Sequence, residues 1–206
     1  MTAYVLSCPD NGSHMCGSEG RLHHEEIAGI PTCRSCGFKI DPYFINLNYR
    51  LARTVYDLSS TFDNYTVASL KFKEACLRLG LQGIEFLPLP ADPRHFVVKA
   101  TSVIAFDFVA RGTRFEKFCA YCGLYGDVVG AHPAVLKSAP STSFARADIF
   151  FGCGNGRNQL LIVSSVAREL LSKERLKGLD FGVCKSAEEF AEQVRRFNLE
   201  RRPKLP

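Results

Sequence analysis

The sequence has no long hydrophobic run; no stretch approaches the ~18 apolar residues needed to cross a bilayer. It does not open on an export signal either. MTAYVLSCPDNG has no basic leading region, and its apolar run is short. These two absences lead to the expectation of a cytoplasmic protein with no membrane contact. Strong charge of one sign is also missing. The 26 Lys and Arg against 21 Asp and Glu leave a net +5, too little by itself to imply a nucleic-acid partner. Much of the excess sits in the terminal RRFNLERRPKLP, where Arg195, Arg196, Arg201, Arg202 and Lys204 face one acid, Glu200. Such a run reads as a solvated tail.

Catalytic motifs are missing as well. His23-His24-Glu25-Glu26 lacks the H-E-x-x-H spacing that sets two histidines on one helical face. FGCGNGRN, around Cys153, fits neither a phosphate loop nor a dinucleotide turn and reads as a flexible turn. Ser164 and Ser165 lack a surrounding G-x-S-x-G and suit helix caps better than nucleophiles. No catalytic residue is assigned, and an enzyme is not expected.

What the sequence does have is nine cysteines in 206 residues. The count is odd and no export signal is seen, so reduced thiols are expected, and close pairs read as metal ligands. Two pairs share one grammar: CRSCG from Cys33 and CAYCG from Cys119. C-x-x-C places two thiolates on one side of a tight turn, and the trailing glycine allows positive φ and close approach of backbone N–H groups to sulfur. Cys33, Cys36, Cys119 and Cys122 are therefore the expected ligands of one structural Zn2+. A glycine after each pair disfavours the helix start that a thioredoxin-like redox pair needs. Four thiolates close the shell and leave no place for water, so the ion would hold the fold rather than react. A rival set recruits Cys8, Cys16, His14, His23 or His24 from the N-terminal stretch. Cys76 and Cys184 read as buried thiols.

The rest suggests an α+β chain: mixed or antiparallel sheets, a few helices and a zinc-ribbon-like element. We expect a single domain over 1–206. Its knuckle element comes from about 30–40 and 115–126, with a structured insertion over 43–114. Strands are expected at Tyr4–Ser7, from Ile84 to Pro88, from His95, at NQLLIVS and at GLDFGV. TVASLKFKEACLRL (66–79) has helical spacing and ends before Gly80; SVARELLSKERLK is a second helix, ending at Gly178. Ser186 and Glu189 open a third with a capping box. Residues 127–147, broken by Gly130, Pro133 and Pro140, read as irregular, with a new segment beginning at Asp148. Two helix–glycine–strand passages echo each other, LGLQGIEFLPL and LKGLDFGV. That echo is either a duplication or ordinary helix–turn–strand chemistry.

Two CxxCG motifs around a long insert, followed by ADIFF and LLIVSSVARELLSKERLKGLDF, resemble the bacterial double-CXXCG motif proteins, a paralogous family of myxobacteria. A similar C-terminal pattern occurs in immunity proteins of polymorphic toxin systems. The resemblance covers roughly residues 30 to 182. It implies an α+β fold with bound zinc at Cys33, Cys36, Cys119 and Cys122. It also implies a non-enzymatic role, neutralising a cognate toxin by direct binding. The alternative is a nucleic-acid-binding zinc-ribbon protein, and against it the knuckles are poor in Lys and Arg.

Overall fold

The computed structural model describes residues 2–16, 30–52 and 55–200. The architecture is α+β, built from sheets that are antiparallel apart from one short pair. In chain order the elements are β1 (Ala3–Ser7), β2 (Leu58–Ser60), β3 (Thr66–Ser69), α1 (Leu70–Arg78), β4 (Ile84–Pro88) and β5 (His95–Ala100). Then come β6 (Val103–Ile104), α2 (Phe108–Arg111), β7 (Arg114–Phe118), β8 (Tyr125–Val129) and β9 (Phe144–Cys153). The chain closes with β10 (Asn158–Ser164), α3 (Ser165–Lys173), β11 (Asp180–Val183) and α4 (Ala187–Glu200).

The larger sheet runs β11-β1-β10-β9-β8-β7, with β6 paired in parallel to β9. The smaller runs β2-β3-β5-β4. β10 lies inside the larger sheet and is apolar on both faces, as a doubly covered strand must be. Leu160 and Ile162 enter one core with Val5, Phe106 and Ala147, while Leu161 and Val163 enter a second. That second core unites both sheets with α1 and α3: Leu58, Val98, Phe72, Cys76, Ala167 and Leu171 all meet there. Phe72 is fully buried, so truncation to Ala would cost about 3–5 kcal/mol. A third core covers the far face of the small sheet with Val67, Val97, Tyr65 and Met15.

The sequence echo has a structural counterpart. β3–α1–β4 and β10–α3–β11 are each a strand, a helix and a second strand, with one antiparallel strand inserted between the two. Both helices begin where the strand ends, on a serine cap: Ser69 Oγ accepts from Phe72 N–H, and Ser164 Oγ from Ala167 N–H. Each unit's glycine presses on the strand that pairs with the other unit's first strand, β9 for Gly83 and β2 for Gly178. A Cβ on Gly83 (φ 85°) would lie 2.1 Å from the Phe144 carbonyl oxygen, and one on Gly178 (φ 87°) 2.2 Å from that of Leu58. The neighbouring hydrogen bonds are reciprocal too, Phe144 N–H to Gln82 O and Leu58 N–H to Lys177 O. This reciprocity favours a duplicated unit with an approximate two-fold relation.

Three expectations are corrected. Residues 66–69 are strand, not helix: β-branched Thr66 and Val67 pair with β2 and β5, and the helix starts only after the Ser69 cap. The second helix stops at Lys173, short of Gly178. Of the segment read as irregular, only 130–143 is without a strand, because β8 reaches Val129 and β9 starts at Phe144. DIFF therefore lies inside β9 rather than opening a segment. Among the described residues no helix is long and apolar enough to cross a membrane.

Candidate metal centre

The two CxxCG stretches fold into the same turn. In the first, Gly37 N–H donates to Cys33 O at 2.8 Å and Cys33 N–H to Phe38 O at 2.9 Å. In the second, Gly123 N–H donates to Cys119 O at 2.8 Å and Cys119 N–H to Leu124 O at 2.9 Å. Gly37 and Gly123 have φ of 71° and 70°, the left-handed region where a side chain is strained. The first knuckle is closed by a bridge between Thr32 and Lys39, and the second is the connection between β7 and β8. Phe38 lays its ring against Gly126 of β8, where a Cβ would come within 2.6 Å of the ring. That position accepts glycine because the first knuckle needs the space.

This docking brings all four sulfurs together. Cys33 Sγ lies 3.9 Å from Cys119 Sγ, and Cys36 Sγ lies 3.8 Å from Cys122 Sγ. All four atoms fall within 4.8 Å of one another. A disulfide would need roughly 2 Å, and all nine thiols are free. A tetrahedral metal–thiolate shell with bonds of about 2.3 Å has sulfur–sulfur edges of about 3.8 Å. The donor set thus fits one metal ion. Cys33 and Cys119 are buried, while Cys36 and Cys122 sit half-exposed at the rim.

The thiols are unequal. The N–H groups of Cys122 and Tyr121 point at Cys119 and outweigh its desolvation, which lowers its pKa to about 6. Backbone N–H groups, that of Cys36 foremost, lower Cys33 in the same way. Burial pushes Cys36 up to about 12 and raises Cys122. So one thiol from each knuckle is disposed to ionise first, and a bound cation would draw the proton from the other. The Arg157 guanidinium lies near Cys36 and Cys122, sits over the Phe38 ring at 5.5 Å, and donates to Lys39 O. It brings positive charge beside the thiols.

Compared with known proteins, the sequence matches no family model and no curated sequence.

The rival ligands lie elsewhere. Cys8 packs at the edge of the second core, where burial lifts its pKa to about 12. Cys16 is buried beside Tyr65, 3.4 Å from its hydroxyl, and burial raises it to about 11. His14 stacks on Phe62. His23 and His24 lie outside the described residues. Cys76 and Cys184 are buried thiols. Cys153 ends β9 and is exposed, ahead of a short 3-10 turn at Gly154–Gly156. Among the described residues no other group of three Cys, His, Asp or Glu could hold an ion. Arg157, Phe38 and Gly126 complete the centre and were not found from sequence. Spacing finds ligands that are close in the chain, and these three meet only through tertiary packing.

Proposed function

We propose that this chain is a non-enzymatic zinc-containing binding protein, an immunity-type protein of the bacterial cytoplasm that neutralises a cognate toxin by binding it. The observation that carries the reading is the spacing of Cys33, Cys36, Cys119 and Cys122, two identical turns that meet at tetrahedral sulfur distances. Zinc is the ion assigned, since it favours four thiolates in that geometry. A closed shell supplies stability rather than chemistry, which leaves function to the surface around it. The likeness to the double-CXXCG proteins supplies the toxin-neutralising role.

Two measurements test this. Metal analysis of protein purified without chelator is expected to give about one zinc per chain; a metal-free product ends the zinc assignment. Co-expression with toxin-like products of neighbouring genes is expected to restore growth and yield a co-purifying complex. If no neighbouring product is toxic, or none is bound, the immunity role is rejected.

A further inference from the structure

The four sulfurs of the centre form two pairs of different character. Cys33 and Cys119 are 2% and 8% exposed, with sulfurs 3.9 Å apart. Cys36 and Cys122 stand half-exposed at the rim, with sulfurs 3.8 Å apart. Each pair takes one cysteine from each knuckle and spans positions 86 apart in the chain. Of the two, the rim pair alone has both side chains open to a dissolved reagent. A surface depression leads to it. Ser35, Phe118 and Tyr121 line that depression with Cys36, and the buried Cys119 lines it as well.

The charge around the sulfurs is also uneven. The Arg157 guanidinium lies near Cys36 and Cys122. It is held there from three sides. Its Nε donates to Gly154 O at 3.0 Å, a terminal nitrogen donates to Lys39 O at 3.3 Å, and the Phe38 ring lies beneath it at 5.5 Å. A cation fixed beside a sulfur stabilises the negative charge that gathers on an oxygen leaving that sulfur's attack.

We infer that the rim pair is a redox switch on the metal centre. Hydrogen peroxide joins Cys36 to Cys122 as a disulfide, the ion is released, and the new bond keeps the two knuckles docked. The inference rests on the zinc assignment and names how that centre responds to an oxidant.

The step balances with peroxide as the only oxidant. The Cys36 thiolate attacks one peroxide oxygen, the O–O bond breaks, and hydroxide leaves behind a sulfenic acid. The Cys122 thiolate then attacks the Cys36 sulfur, the S–S bond forms, and a second hydroxide leaves. Two electrons pass from the two sulfurs to the peroxide, and two protons from solvent turn the hydroxides into water. The sulfurs close from 3.8 Å to the roughly 2.05 Å of a disulfide. Cys33 and Cys119 remain, and two thiolates do not complete the four-ligand shell that zinc favours. Oxidation thus differs from chelation. A chelator leaves nothing between the knuckles, whereas the disulfide replaces one clamp on a long loop with another.

The test uses the zinc-loaded full chain carrying Cys153→Ser, which removes an exposed thiol outside the four-sulfur cluster. It is titrated with hydrogen peroxide beside a colorimetric zinc indicator. One zinc is expected to leave per disulfide formed, with a mass loss of two hydrogens and a Cys36–Cys122 cross-linked peptide after digestion. Dithiothreitol with added zinc should restore the starting protein. Amide exchange in β7 and β8 should stay slow in the oxidised protein and become fast in the reduced, chelated one. The inference is overturned if the first bond maps within a knuckle or to Cys33–Cys119. It is also overturned if zinc leaves without a disulfide, or if oxidised and chelated protein lose protection equally. Zinc-loaded protein that resists peroxide removes the switch and leaves the zinc assignment standing. Protein that carries no zinc yet forms the Cys36–Cys122 bond ends the zinc assignment and the release with it, and leaves a plain thiol switch.

Discussion

The two strand–helix–strand units differ mainly in what is attached to their first strands. In the first unit β2 spans three residues and ends at Ser60. In the second, β9 spans ten, continues past β10, and pairs with β8 of the hairpin that holds the second knuckle. The inserted strand differs as well. β5 follows β4 directly in the chain, whereas β1 comes from the far N-terminal side to lie between β10 and β11. The shared parts are those that fold any such unit: a serine cap, an amphipathic helix and a glycine at the helix-to-strand turn. The unshared part carries the hairpin of the candidate metal centre. Among the described residues the first unit has no such extension.

The largest expected effect breaks the units apart. Removing the metal with a chelator, or replacing Cys33 or Cys119 with Ser, should lower the melting temperature by roughly 10 °C or more. Amide exchange should show protection lost in β7 and β8 while α1, β3 and β5 keep theirs. Uniform loss across both units would mean that the hairpin is not a separable addition.

A smaller effect tests their equivalence. Gly83→Ala and Gly178→Ala should each cost about 2–4 kcal/mol, because a methyl meets a backbone carbonyl at a positive φ. Denaturant midpoints that differ widely between the two would count against the reciprocal packing. Next come the caps. Ser69→Ala and Ser164→Ala should each cost about 1 kcal/mol, and thermal melts of the pair should nearly coincide.

The smallest effect belongs to the first unit alone. Burial acts to raise the Asp92 carboxyl, but the His95 ring and the Leu51 N–H outweigh it and hold it below the usual carboxylate range. A carboxyl depressed in the folded state stabilises above its unfolded pKa of about 3.9 and loses that contribution as pH falls further. Mild acid should therefore loosen the β4–β5 turn, with no counterpart in the second unit. Asp92→Asn should remove the difference, as read by exchange between about pH 3 and 5.

Parts of this were visible before folding. Cys33, Cys36, Cys119 and Cys122 announce themselves because a knuckle is a local object, five residues with a fixed grammar. Ser164 as a cap and the Ser186–Glu189 box are local in the same sense. Thr66–Ser69 misled because Ala68 falls on the helical repeat of the residues after it. Only the neighbours β2 and β5 make it a strand. The glycines at 83 and 178 were visible as turns, but the carbonyls they face lie in distant strands. Arg157 sits in what reads as a loose glycine loop, and its proximity to Cys36 and Cys122 depends on the whole sheet.

The placement of β1 has a consequence in time. Ala3–Ser7 is synthesised before every other described strand, yet its ladder partners are Ile162–Ser164 and Asp180–Val183. Until those residues leave the ribosome, the strand has no ladder partner, and β10, apolar on both faces, must then find a strand made long before it. Pairings this distant in sequence form slowly, and an unpaired apolar strand invites the wrong neighbour. The stretch most exposed to misassembly is thus the junction of β1 and β10, where an early strand waits for a late one.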